Sequence, residues 1–194
     1  MVEVKIRGFG KYVPKKVIPN SFFVRQNPLF QYSADGERVG KGIETSEDWI
    51  VKRTGIVERR WAEGLQVHDM AALAIEQALE RSPFISKDLT GIVVASVTQE
   101  GNFPSAASKV KEIIKARGAS DCYDVLAACA GFPVAVDKVY TQMQKSGGVY
   151  AVVGVEKLSA ITDLKDMNAP LFGDGAGAWI LGPAETPGVV ATYQ

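Results

Sequence analysis

A chain of 194 residues is long enough to bury a substantial core and supports one domain, or one large domain with an insertion. At 46% hydrophobic and 23% charged it has the composition of an ordinary soluble globular protein, and its 22 basic residues balance 22 acidic ones, so nothing in the net charge points to nucleic acid or an anionic membrane. No apolar run, Ile92 to Val97 included, is long enough to span a bilayer, and Met1-Val2-Glu3-Val4-Lys5 lacks the apolar stretch of a signal peptide, which predicts a cytoplasmic protein.

Val2 to Phe9 alternate apolar and charged, with Val2, Val4 and Ile6 set against Glu3, Lys5 and Arg7, the period of a half-buried strand. Gly8-Phe9-Gly10 and Pro14 are expected to bend it outward. A short helix begins near Asn20 and is stopped by Pro28, and Tyr32 to Gly42 has loop chemistry. Thr45 stands three residues before Asp48 in capping-box spacing. Thr45 is therefore expected to cap a helix carrying Trp49, Ile50, Lys52 and Arg53, which Gly55 ends. Arg59-Arg60-Trp61 reads as a short edge strand, and Val67 to Arg81 as an amphipathic helix that Pro83 terminates. The only histidine, His68, lies in that helix with no catalytic partner near it in sequence, which assigns it a structural or surface role.

Gly91 to Val97 is a near-continuous apolar run rich in β-branched residues, the mark of a central parallel strand buried on both faces. Glu100 follows as a loop carboxylate. Pro104 suits the first turn of the next helix, with Ala106, Ala107, Val110, Ile113 and Ile114 inward and Lys109, Lys111 and Lys115 outward. Residues 122–128 and 149–155 repeat the buried-strand pattern, so strand and helix alternate in an α/β layered sheet. Phe172 to Ala178 is glycine-rich but lacks the Lys-Ser/Thr ending of a phosphate-binding loop. Close backbone packing, with Asp174 bonded to main-chain donors, is the expectation there, before a strand at Trp179-Ile180-Leu181.

Two cysteines make no disulfide framework and have no histidine set for a metal site, so no metal or cofactor is expected. Cys122 reads as core. Val125 to Ala128 read as a short buried strand, and Phe132, Ala135, Val136, Val139 and Met143 then recur at helical spacing, which puts Cys129 at a strand-to-helix corner. At a helix N-terminus the free N–H groups and the macrodipole favour negative charge, and the same donors can hold a developing oxyanion. Gly131 permits a tight turn, and the small Ala127, Ala128 and Ala130 leave room for a substrate arm beside the sulfur. That is a design for covalent acyl transfer. The bland alternative is an inert apolar core residue.

Ala127-Ala128-Cys129-Ala130-Gly131-Phe132 resembles the nucleophile motif of β-ketoacyl-acyl-carrier-protein synthase III, a family with the thiolase-like fold. Thr45 to Ile56 is similar to its coenzyme A-binding segment, Phe103-Pro104-Ser105-Ala106-Ala107 to a stretch lining its acyl pocket across the dimer interface, Gly154 to Ser159 to a turn, and Phe172 to Ala178 to its glycine-rich signature. The resemblance implies the N-terminal half of a thiolase-like α-β-α-β-α sandwich over residues 1–194, a mixed sheet with mainly parallel core strands, and an insertion over 25–43.

For function, the resemblance implies that Cys129 takes an acyl group from acyl-coenzyme A and that the complete enzyme condenses it with malonyl-acyl-carrier protein to initiate fatty-acid synthesis. Trp49 would stack on the adenine, Arg53 and Thr54 would hold the nucleotide and phosphates, and Phe103 would shape the acyl pocket. Gly173, Asp174, Gly175 and Gly177 would form a structural motif. Coenzyme A thioester is then a substrate rather than a cofactor. The implied partners are acyl-coenzyme A, acyl carrier protein, and a second copy in a homodimer or a chain carrying the C-terminal half. One departure stands out: the family's aspartate-arginine pair, whose arginine flanks the adenine, reads Asp166-Met167. The family's second half, source of a histidine and an asparagine for the decarboxylating step, is absent from this chain, and Gly188 to Tyr193 reads as the strand where it would begin. Two further readings stay open, a half-subunit that binds acyl-coenzyme A or a partner without turnover, and a relative condensing other acyl-coenzyme A substrates.

Overall fold

A computed structural model describes residues 2–101, 103–186 and 188. In chain order the elements are β1 (Val4–Tyr12), β2 (Lys16–Pro19), α1 (Asn20–Val24), β3 (Leu29–Tyr32), β4 (Arg38–Ile43), α2 (Glu47–Thr54), β5 (Glu58–Trp61), α3 (Val67–Glu80), β6 (Gly91–Ala95), α4 (Ala106–Ile113), β7 (Asp121–Val125), α5 (Gly131–Ser146), β8 (Tyr150–Lys157) and β9 (Asp174–Pro183). The chain divides into two compact units. One comprises Met1–Val13, Gly64–Glu156 and Gly175–Gln194, and the other comprises Pro14–Glu63 and Lys157–Asp174.

The first unit is built on a mixed five-stranded sheet in the order β1-β9-β8-β6-β7. β6 runs parallel to both β7 and β8, whereas β1 pairs antiparallel with β9. All five residues of β6 are buried, as its β-branched run predicts for a strand covered on both faces. Val93 and Ala95 pack with Ala135, Val139 and Met143 of α5, while strand alternation sends Ile92 and Val94 to the opposite face, where α4 lies against β6 and α3.

Several expectations shift by a residue or a face. Gly8 and Gly10 do not bend β1. The strand runs on to Tyr12, and both glycines admit the backbone of α3, since a Cβ at either position would stand 2.2 Å from a carbonyl oxygen, that of Ala78 or Ala74. Ile6, expected inside, is 39% exposed, because the register slips between Ile6 and Gly8. Pro104 lies outside α4, whose N-cap is Ser105, and Ile113 is 41% exposed at the helix end. β7 stops at Val125 rather than continuing to Ala128. As an edge strand it leaves Cys122 only half-buried, so that thiol is not plain core.

The second unit packs Ile18, Phe23, Ile50 and Ala169 into a small core, with Phe22, Trp49 and Trp61 against it. β2 and β5 form one two-stranded antiparallel sheet and β3 and β4 another. The second sheet replaces the loop expected over 32–42. Gly36 takes a left-handed turn conformation, Arg38 lies 4.2 Å over the Phe30 ring, and the Phe30 backbone bonds to Lys165 and Met167. These long-range contacts hold strands that local composition does not favour. α2 begins one residue later than expected. Ser46 is its N-cap, accepting from the Trp49 N–H, because the Thr45 hydroxyl is committed to Asn27 at 2.7 Å.

Candidate active site

Between the end of β7 and the start of α5 the chain makes a single 3-10 turn, Ala128–Ala130, with Cys129 at its centre. Cys129 is exposed, and Ala128 holds φ at +45°, a left-handed conformation costly for a residue with a Cβ. The corner sits against the end of β6. Gly131 lies so near Ala95 that a Cβ there would come within 3.2 Å of the Ala95 Cβ, and the Ser96 N–H donates to the Val125 carbonyl at 3.2 Å. The carboxyl ends of three parallel strands thus meet where the cysteine is presented, the usual place for chemistry in a parallel sheet.

Three carboxylates in this unit brace loops, and sequence reasoning assigned a bracing role to none of them. Glu156, at the end of β8, accepts from the Val97 N–H at 3.0 Å, from Ser96 Oγ at 3.3 Å and from Thr98 Oγ1. Asp124 accepts from the Ala106 and Ala107 N–H groups at 2.7 and 2.9 Å, capping α4 from a neighbouring strand. Glu100 lies in a loop, as expected, and takes the Val67 N–H at the start of α3. Glu100 Oε2 is also 3.4 Å from His68 Nδ1. The one signal that could have drawn attention to Glu156 is an acid placed directly after a fully apolar strand. Phe103, in the β6–α4 connection, is 91% exposed. Phe132 and Trp179 meet edge to face at 4.9 Å beside an open groove of about 360 Å³, whose floor includes Gly154 and Gly177.

In the second unit Trp49 is half-buried and the Arg53 guanidinium lies 4.1 Å over its ring, so this pair is brought together at one turn's spacing on α2. The Thr54 hydroxyl donates to the Ile50 carbonyl and accepts from the Ile56 N–H. Asp174 is buried. Its Oδ2 accepts from the Ala62 N–H at 2.7 Å and Ser159 Oγ at 2.6 Å, and its Oδ1 from the Ser159 N–H at 2.9 Å. Gly173, beside it, abuts Arg59, whereas Gly175 and Gly177 belong to the first unit. Arg59 is buried and donates to the carbonyls of Ile18 and Pro170 and to Asn20, its pKa lowered by burial. Cys129 and Phe103 thus lie in one unit, and Trp49, Arg53 and Thr54 in the other.

Among the described residues no helix is long and apolar enough to cross a membrane, and no group of three or more His, Cys, Asp or Glu is placed to hold a metal. The strand Gly188 to Tyr193 lies outside the described residues apart from Gly188.

A mixed sheet with a parallel core, helices on both faces and a cysteine turn opening a long helix places the chain in the thiolase-like α/β class. Within that class the chain is similar to β-ketoacyl-acyl-carrier-protein synthases III. Residues 123–194 match the family model described as 3-oxoacyl-[acyl-carrier-protein] synthase III. The whole chain is 37% identical to the β-ketoacyl-[acyl-carrier-protein] synthase III of Clostridium beijerinckii, of which it covers 55%, and 97% of it is 40% identical to that of Serratia proteamaculans, again covering 55%. Among solved structures, the synthase III of Aquifex aeolicus superposes with a TM-score of 0.82 at 34% identity, over 94% of this chain and 55% of that one. The priming β-ketosynthase of the R1128 polyketide pathway superposes at 0.83 and 28%, over 96% and 52%. The chain spans about half the length of the relatives it matches.

Proposed function

We propose that Cys129 is the nucleophile of an acyltransferase and that the chain carries the acyl-loading half of a synthase III site. The observation that carries this reading is the exposed Cys129 on a strained turn at the start of a 16-residue helix. The Cys129 thiolate attacks the thioester carbonyl of acyl-coenzyme A, the bond to the coenzyme A sulfur breaks, and coenzyme A leaves as thiolate to take up a proton. Trp49 and Arg53 hold coenzyme A by stacking and by charge-assisted bonds to phosphate. Thr54 joins them by turning its hydroxyl proton away from the Ile50 carbonyl. Phe103, exposed as it stands, shapes an acyl pocket completed by a second copy across a dimer interface.

Condensation follows when malonyl-acyl-carrier protein loses carbon dioxide and the resulting enolate attacks the acyl-Cys129 carbonyl, releasing the thiolate. The enolate oxygen needs hydrogen-bond donors, a histidine and an asparagine in this family. We do not give His68 that role: it lies at the start of α3, its ring nitrogens 3.4 Å from a Glu100 oxygen and 3.8 Å from an Asp69 oxygen. The condensing step, the start of cytoplasmic fatty-acid synthesis, therefore requires a second half-site. The test is intact-mass spectrometry of the chain after incubation with acetyl-coenzyme A. A single acetyl adduct that disappears in Cys129→Ala is the expected result, and an adduct that survives the substitution rejects Cys129. A chain that takes up no acetyl group rejects acyl loading and favours a half-subunit that only binds.

A further inference from the structure

Glu156 stands apart from the residues given roles above. It lies at the carboxyl end of β8, its two carboxylate oxygens share three donors from three consecutive residues of the next strand's exit, and two of those residues, Ser96 and Thr98, are 2% and 7% exposed. A carboxylate that accepts several bonds from one backbone segment fixes that segment more firmly than packing alone, because charge-assisted bonds are about twice as strong as neutral ones. The fixed segment is the one against which the cysteine corner rests. Ser96 donates its N–H to Val125, the last residue before the corner, and Ala95 meets Gly131 just after it. Contacts therefore run from Glu156 to residues 96–98, from there to Val125, and so to both ends of the turn that carries Cys129.

We propose that Glu156 is a positioning residue for Cys129: it locks the exit of β6 in the geometry that holds the thiol in line for attack. The inference rests on reading Cys129 as the acylated nucleophile. Asp124, on β7, makes a different brace, accepting from Ala106 and Ala107 at the start of α4 rather than from residues 96–98. In Glu156→Gln the amide oxygen can keep the Val97 N–H, but the Ser96 and Thr98 hydroxyls must then rotate to accept from the amide nitrogen and every bond loses its charge assistance, so the strand exit is held less firmly. A displacement of a few tenths of an ångström at a reacting atom is expected to slow attack about tenfold.

The experiment uses the full chain as wild type, Glu156→Gln and Glu156→Asp. Acetyl transfer from acetyl-coenzyme A to Cys129 is followed by intact mass over a range of thioester concentrations. In parallel, iodoacetamide labelling of Cys129 is followed against pH, and amide exchange is followed at Val97. Expected are a loss of about tenfold in the saturating acylation rate of Glu156→Gln with half-saturation within about twofold, partial recovery in Glu156→Asp, and faster exchange at Val97. A Gln variant that acylates at the wild-type rate overturns the proposal. So does a loss carried wholly by half-saturation. If wild type takes up no acetyl group, the nucleophile reading has failed by itself, and the proposal then stands or falls on labelling. A changed pH profile of Cys129 labelling in Glu156→Gln supports it, and an unchanged profile with unchanged Val97 exchange rejects it.

Discussion

Asp174→Asn changes one atom and tests how the glycine-rich segment is held. The carboxylate receives three donors, the Ala62 N–H at 2.7 Å, the Ser159 N–H at 2.9 Å and the Ser159 hydroxyl at 2.6 Å. An amide keeps only one acceptor oxygen. With that oxygen in the place of Oδ2 the Ser159 N–H faces an NH₂ group, and with the amide flipped the Ala62 N–H does. Either way one buried backbone donor has no acceptor, which costs about 2 kcal/mol, and the surviving bonds lose their charge assistance, at about 0.5 kcal/mol each. The sum is about 3 kcal/mol, a fall of more than about a hundredfold in the equilibrium constant for closing this part of the second unit. Amide exchange at Ala62 and Ser159 reads that change locally, and urea unfolding reads it for the whole unit. If both amides keep wild-type protection and the unfolding free energy moves by less than about 1 kcal/mol, the hydrogen-bond account of Asp174 is wrong.

Gly10→Ala places a Cβ 2.2 Å from the Ala74 carbonyl and 2.5 Å from the Ala78 nitrogen, so it is expected to destabilise the first unit by about 3 kcal/mol in urea unfolding, at the upper end for overpacking. Met167→Arg restores a cation where the resemblance puts one beside the adenine. It is expected to tighten coenzyme A binding about tenfold by calorimetry, and an unchanged affinity counts against the coenzyme A site proposed on α2. Burial pushes the Cys122 thiol above its ordinary 9.0 and the Tyr123 and Tyr150 hydroxyls above 10.0. Each proton is held more tightly in the fold than in the unfolded chain, so stability is full below those ordinary values and falls as pH rises through the raised native ones. A urea midpoint that drops above about pH 9, and drops less in Cys122→Ala, is the expected pattern. The difference in exposure predicts that iodoacetamide labels the exposed Cys129 faster than the half-buried Cys122 in the native protein, which intact mass of Cys129→Ala beside the wild type reads directly.

The element types and the order of the layers were legible in the sequence because they rest on local periodicity and burial. Gly91 to Ala95 is apolar at every position and became the strand buried on both faces; Val67 to Glu80 kept its apolar stripe toward the sheet. The corner at Cys129 was legible too, from small residues between a strand pattern and a helix pattern, although its 3-10 turn was not. What only the tertiary structure decided were pairings between groups far apart in sequence. Thr45 lost the helix cap to Ser46 because Asn27 claims its hydroxyl, and a segment of loop chemistry became the β3–β4 hairpin because its Phe30 backbone pairs with residues 165–167. Glu156 reads as an ordinary strand-end acid until Ser96, Val97 and Thr98, about sixty residues earlier, fold onto it. Periodicity records which face of an element is buried; it carries no record of which distant donor a carboxylate will meet, because that is set by the packing of whole elements rather than by neighbours along the chain.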